Sequence, residues 1–199
     1  MGRRSIHTQD ELRSLILTAA RQIIERDGLF GFSAREIARS VGYSPGTIYN
    51  IFDSLDELLL LLQAQLLGDV VERLKAVQSS GDDHAYMDAL GTAYVRFAID
   101  NGRLWNLLVA HQVEKATPIP PAIQEHLDSV AGIVGRALKP LMNGASEGEI
   151  IQAAQSLWTG VHGITAVAVT GKGANLTPAT ADKFVKVLTS NFTKGLTVK

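Results

Sequence analysis

The chain has 199 residues, 46% of them hydrophobic, 20% charged and none of them Cys: a globular composition that excludes disorder, a disulfide framework, a thiolate metal site and a Cys nucleophile. The net charge of −1 conceals a skew, because residues 1–52 carry seven Arg and no Lys against five acids while the remainder carries 12 basic and 15 acidic residues, a sign that suits a nucleic-acid-facing N-terminal end. The longest unbroken apolar run, Leu58–Leu62, is too short to span a bilayer, and no signal-peptide stretch follows the basic start, so the expectation is a soluble, cytoplasmic protein with no membrane partner.

Helical spacing governs nearly every segment. Leu12, Leu15, Ile16, Ala19, Ile23 and Ile24 recur at three- and four-residue intervals and give residues 8–27 one apolar face. Thr8 with Glu11 reads as a capping box at its start, and Gly28 as its stop. Ser33 with Glu36 opens a second helix that runs to about Ser40 and is broken by Gly42. Ser44-Pro45 starts a third, very short helix, with Pro at the first helical position where its missing N–H costs nothing. Ser54-Leu-Asp-Glu57 caps a long fourth helix, roughly 55–79, whose apolar residues cover more than one face and so demand neighbours on several sides. Further helices follow at about 83–100, 103–114, 119–141, 147–171 and 178–195, divided by stops such as Asn101-Gly102, Thr117-Pro-Ile-Pro-Pro121 and Asn143-Gly144. The expected fold class is all-α, about nine helices, with a three-helix unit over 1–54 and a helical bundle over 55–199.

The densest pattern is Phe32-Ser-Ala-Arg-Glu-Ile-Ala-Arg-Ser-Val-Gly-Tyr-Ser-Pro-Gly-Thr-Ile-Tyr-Asn-Ile-Phe52. Ile37 and Ala38 face inward, Val41-Gly42 makes a tight turn, and Ile48, Ile51 and Phe52 anchor the next helix. Two helices joined by a short Gly-containing turn form the DNA-binding helix-turn-helix. The outward face of its second helix carries Ser44, Gly46, Thr47, Tyr49 and Asn50, small or hydrogen-bonding groups suited to the major groove and its phosphates. The alternative reading is packing for Tyr43 and Tyr49, and a solvated face for Arg35 and Arg39.

Residues 8–62 resemble the DNA-binding domain of the TetR family of regulators, through Gly42-Tyr43-Ser44-Pro45-Gly46-Thr47-Ile48-Tyr49 and then Phe52-Asp-Ser-Leu-Asp-Glu-Leu58. The resemblance implies that Thr47 and Asn50 approach bases, that Tyr43 and Tyr49 reach phosphates, that Gly46 lets the backbone approach closely, and that Ser33 and Arg35 hold backbone across the groove; Ser44 and Pro45 are counted with them among the DNA-binding residues. Arg3 and Arg4 are candidates for a flexible arm. One position departs: Leu55 stands where the family usually has a Lys on the DNA backbone.

Residues 55–199 resemble the family's sensing and dimerisation region in layout. One local match, Leu157-Trp-Thr-Gly-Val-His-Gly163, resembles the Trp-His-Gly (WHG) motif of one C-terminal subgroup. The candidate pocket comprises Leu62, Gln65, Leu66, Tyr94, Phe97, Trp105, Leu108, His111, Trp158 and His162, an apolar lining with few polar groups. Each of these taken alone fits a packed core as well. The dimer stripe is read as Leu157, Val161, Ile164 and Ala168 on one helix and Phe184, Leu188 and Phe192 on the next.

The expected function is a ligand-responsive DNA-binding transcription regulator, a repressor by family default. It binds a palindromic double-stranded DNA operator as a homodimer and is released by a small, largely hydrophobic effector. The alternative is a helical protein-interaction domain with neither property. Enzyme chemistry has no support: the His residues at 7, 84, 111, 126 and 162 lack metal-ligand spacing, and no nucleophile elbow or phosphate loop occurs. His111 with Glu114 would make only a two-ligand site, so neither metal nor cofactor is expected.

Overall fold

The computed structural model describes residues 7–111 and 117–197. Among them lie nine α-helices and no strand: α1 (Gln9–Asp27), α2 (Ala34–Val41), α3 (Pro45–Ile51), α4 (Leu55–Lys75), α5 (Asp83–Asp100), α6 (Gly102–Ala110), α7 (Pro121–Leu138), α8 (Glu147–Thr170) and α9 (Ala181–Thr197). The all-α expectation holds. Arg3, Arg4 and Glu114 lie outside the described residues.

The start signals act as side-chain chemistry requires. Thr8 accepts from the Glu11 amide at 3.2 Å while the Glu11 carboxylate accepts from the Thr8 amide at 2.8 Å, so two otherwise orphaned donors are satisfied reciprocally. Ser33, Ser44 and Ser54 each accept from the backbone N–H three residues on. Gly42 closes α2 at φ +75°, left-handed backbone that a residue without Cβ adopts at no steric cost, and this turns the chain into α3.

The helix ends differ from expectation by a few residues. α4 stops at Lys75 rather than near 79, and α6 ends at Ala110 rather than near 114. Helix ends fray, and the sequence pattern fixes them less closely than the capped starts.

α4 is the axis of the molecule. It packs against α1 on the DNA-unit side and against α5, α6 and α7 in the body. Ile16, Ile37, Ile48 and Phe52 therefore belong to the same apolar cluster as Leu58, Leu62, Leu66, Val70 and Leu74. α1 also meets α6, where the Arg103 guanidinium donates to the carbonyls of Glu25 and Arg26 at the end of α1.

α5 crosses α9 at Gly91, where a Cβ would lie 2.6 Å from Val185 Cγ1. α8 crosses α9 at Gly160, where a Cβ would lie 2.8 Å from Leu188 Cδ2.

This packing corrects the dimer stripe. Leu157, Val161 and Ala168 are buried within the chain's own core and are unavailable to a second copy, while Ile164, Leu188 and Phe192 are half-buried against it. Of the seven, only Phe184, 43% exposed, projects to solvent. The outward face is rotated to Ile151, Gln155, Thr159, Gly163 and Val167 on α8, with Phe184 and Val187 on α9. The most apolar stripe of α8 goes to the core because α5 and α7 claim it first.

Candidate functional sites

The helix-turn-helix residues fall on one surface. Ile48 and Phe52 are buried, which fixes the rotation of α3, and leaves Ser44, Pro45, Gly46, Tyr49 and Asn50 exposed with Thr47 half-buried beside them. Tyr49 is 54% exposed and thus does not serve packing in this chain. Ser44 Oγ lies 3.0 Å from Thr47 Oγ1, holding both hydroxyls at the leading edge of the helix.

Ser33 and Arg35 are exposed at the start of α2. Arg39 spends its charge on Glu36 at 2.6 Å, and that hydrogen bond holds the Glu36 carboxyl below its ordinary value. Arg35 makes no ion pair among the described residues, so its guanidinium remains open to a phosphate. Tyr43 is half-buried, and its hydroxyl lies 2.8 Å from His7 Nδ1, which ties the turn to the residues before α1.

Sequence reasoning missed the residue that positions α3. Arg13 on α1 donates to the Ile51 carbonyl at 3.0 Å and to Glu57 at 2.7 Å, with its guanidinium 4.4 Å from the centre of the Phe52 ring. One side chain thus clamps the end of α3 to the start of α4. Leu55, where the family pattern expects Lys, is half-buried against the core.

In the body, five expected residues converge from three helices. Tyr94 and Phe97 come from α5, Trp105 from α6, and Trp158 and His162 from α8. The Tyr94 ring lies 4.1 Å from Trp158 and 5.1 Å from Trp105, both near edge-on, as ring quadrupoles prefer. Phe97 and His162 lie 6.4 and 5.9 Å from Trp105.

Tyr94 Oη and His162 Nδ1 are 2.7 Å apart. Burial pushes the Tyr94 phenol well above its ordinary value and pulls the His162 imidazole below its own, so both groups are neutral near pH 7. Trp105 is fully buried, and its Nε1 has no hydrogen-bond partner among the described residues. Beside the cluster is an apolar cavity of about 20 Å³ lined by Tyr94, Trp158, Leu74, Met87 and Val161 among others, roughly room for one water.

The other pocket candidates sit elsewhere. Leu62 and Leu66 are buried in the core of α4, and Leu108 is half-buried against that core. Gln65 is exposed and is corrected: two residues earlier, Gln63 is the inward-facing amide. Gln63 Nε2 donates to the Leu107 carbonyl at 2.9 Å and lies 3.0 Å from His111 Nδ1, while His111 Nε2 is 3.0 Å from Asp56. His111 therefore joins the end of α6 to the start of α4 and has no ring nitrogen left for a ligand. Among the described residues no group of three or more His, Asp or Glu could hold a metal ion, and no helix is long and apolar enough to cross a membrane.

Comparison with known proteins bears on both sites. Residues 16–62 match the family described as bacterial regulatory proteins, tetR family, and residues 87–192 match the tetracyclin repressor-like C-terminal domain. The chain is 25% identical over 154 residues to the uncharacterized HTH-type transcriptional regulator YobS of Bacillus subtilis, covering 77% of this chain and 76% of that protein. It is 26% identical over 143 residues to the HTH-type transcriptional regulator Rv1816 of Mycobacterium tuberculosis, covering 70% of this chain and 58% of that protein.

Among solved structures, a protein of unknown function from Rhodococcus sp. RHA1 superimposes with a TM-score of 0.71 at 25% identity, covering 98% of this chain and all of that one. The transcriptional regulator FadR from Bacillus subtilis, in complex with stearoyl-CoA, shares the fold with a TM-score of 0.66 at 17% identity, covering 89% of this chain and 97% of that one.

Proposed function

The chain belongs to the tetR family of bacterial regulatory proteins, a DNA-binding regulator by fold and by relatives, and on that premise we propose that it is a dimeric repressor released from a palindromic operator by a small, largely apolar effector. The observation that carries this reading is the path between its two sites. α4 begins at the clamp that Arg13 makes with Ile51 and Glu57, and its far end, at Leu74, lines the cavity beside Tyr94 and Trp158.

DNA contact is assigned to Ser33, Arg35, Tyr43, Ser44, Pro45, Gly46, Thr47, Tyr49 and Asn50, which are surface groups of α2, α3 and their turn. Effector contact is assigned to Tyr94, Phe97, Trp105, Trp158 and His162, and the WHG-like Trp158-Thr-Gly-Val-His-Gly163 run supplies two of these five. In a twofold dimer the two α3 helices would meet successive major grooves about 34–36 Å apart. An effector that prefers one position of α4 or α6 shifts that spacing through Arg13 and through the Arg103 tie to α1, and it acts only by its differential affinity for the two arrangements. That a structure of this fold exists with stearoyl-CoA supports an apolar occupant of the body.

The test is selection of bound sequences from random duplex DNA by the full chain, followed by titration. Inverted half-sites are expected, with affinity that falls steeply as salt rises because phosphate contacts release counterions. Thr47→Ala with Tyr49→Ala should lower affinity at least about tenfold without changing the helical circular-dichroism signal. Undiminished binding by that double variant, or salt-independent binding, would overturn the assignment.

A further inference from the structure

The cavity beside the aromatic cluster is walled by five helices. Leu74 comes from α4, Met87 and Tyr94 from α5, Val134 from α7, Trp158 from α8 and Thr189 from α9. No charged residue and no His is among its lining residues, and the two lining hydroxyls are already committed. Tyr94 Oη lies 2.7 Å from His162 Nδ1, and the Thr189 hydroxyl donates toward Asp88 and the Val185 carbonyl. The buried side-chain atoms left without a partner among the described residues belong to Thr92, Trp105 and Asp182, none of which lines the cavity. The walls therefore offer an occupant no hydrogen bond. A polar atom seated there gives up its bonds to water for none in return, whereas a hydrocarbon group has none to give up.

Size narrows the class further. About 20 Å³ is room for one methyl-sized group. Two parts of the wall are fixed. α5 is locked to α9 at Gly91, where a Cβ would lie 2.6 Å from Val185 Cγ1, and the Tyr94 ring lies 5.1 and 4.1 Å from those of Trp105 and Trp158. Met87 differs, because its unbranched thioether has three rotatable side-chain bonds and reshapes readily. A thin chain end can follow that side chain inward, whereas a ring needs several walls to move at once.

We propose that this cavity receives the methyl end of an alkyl chain, with Met87 as the wall that yields, and that the effector is an aliphatic amphiphile whose polar group stays outside it. The proposal rests on the effector-binding reading above and fixes the chemistry of the innermost part of the effector, which that reading leaves open. Carbon seated here bears on Leu74 in the last turn of α4, the helix that starts at the Arg13 clamp.

The experiment uses the full chain and three probes: decan-1-ol, 10-bromodecan-1-ol and decane-1,10-diol. Bromine is close to a methyl group in size and quenches indole fluorescence at short range, so it reports where the chain end lies. Trp158 lines the cavity and Trp105, the chain's other tryptophan, does not. Calorimetry should give the two alcohols affinities within about threefold of each other, and the diol, which must bring a hydroxyl whichever end enters, an affinity at least about tenfold lower. 10-Bromodecan-1-ol should quench the tryptophan fluorescence and decan-1-ol should not. Trp158→Phe should keep the binding and lose most of the quench.

Binding of the bromo alcohol without quenching places the chain end elsewhere and overturns the cavity assignment, and if operator affinity still falls the effector-binding reading stands. A diol as tight as decan-1-ol overturns the apolar end, and a quench undiminished in Trp158→Phe overturns the location. Binding of none of the three overturns the alkyl class. Quenching that leaves operator affinity unchanged upholds the cavity and overturns the release mechanism instead.

Discussion

The Tyr94–His162 pair makes the cluster sensitive to acid through a single residue. Burial lowers the His162 value below its ordinary 6.5, whereas the unfolded chain titrates near that ordinary value. Between the two values the unfolded chain holds a proton that the folded chain lacks, so stability rises with pH across this window. The contribution is fully present above about 6.5 and is lost as pH falls below it toward the folded value. Denaturant unfolding at about pH 7.5 and 5.5 should show a larger acid loss for the native sequence than for His162→Gln. The comparison cancels His7, His84, His111 and His126, and equal losses in the two proteins would sink the assignment. Tyr94, Trp105, Trp158 and His162 were legible in the sequence because bulky rings recur at helical spacing on segments with few polar residues. Gln63 was not legible, because α4 is apolar on nearly every side and its pattern cannot say which of Gln63 and Gln65 points inward. Arg13 escaped for another reason: its partners Ile51 and Glu57 are 38 and 44 positions away, and no local pattern encodes such a contact.

Between elements, the glycines mark where helices cross closely. At Gly91 a Cβ would be 2.6 Å from Val185 Cγ1 and 3.2 Å from Thr189 Cγ2, both on the core face of α9. Thr189 is itself held by a hydrogen bond to Asp88, so the neighbour has little freedom to withdraw. Gly91→Ala should therefore destabilise the chain by about 1–3 kcal/mol, the usual cost of an extra methyl in a packed crossing. Gly148→Ala is the matched control. It lies in the first turn of α8 with nothing within 4 Å of the added atom, and should be neutral or stabilising by up to about 1 kcal/mol through helix propensity. Thermal unfolding of the two variants decides the matter, and a Gly91→Ala protein as stable as the native one would refute the crossing geometry. Helix starts were the most legible part of the fold, since Thr8, Ser33, Ser44 and Ser54 each cap through one short side-chain bond to a near neighbour. Crossings were not, because a helical glycine looks alike in sequence whether it faces Val185, as Gly91 does, or open space, as Gly148 does.

At the scale of the whole molecule, the proposed dimer must use whatever face α8 and α9 leave outside. The sequence pattern points to Leu157, Val161 and Ala168, yet these fill the chain's own core, and a helix that serves both a core and an interface carries two apolar faces of which the larger goes inside. The remaining face combines Val187 at 60% exposure and Phe184 at 43% with small or polar residues such as Thr159 and Gly163 on α8. Small residues beside a few large ones let two helix pairs approach closely across a twofold axis, where each patch meets its own copy. A charge placed there is opposed by the same charge from the second copy, and both are removed from water on association. Val187→Glu should accordingly convert the dimer to monomer in sedimentation velocity while circular dichroism keeps its helical signal, because position 187 makes no demand on the monomer's core. DNA affinity should fall with it even though α3 is untouched, since two half-sites are then held by separate molecules rather than one. A Val187→Glu protein that stays dimeric would move the interface off α9. A monomeric variant that keeps full operator affinity would remove the need for a dimer, and with it the spacing of the two α3 helices as the quantity an effector controls.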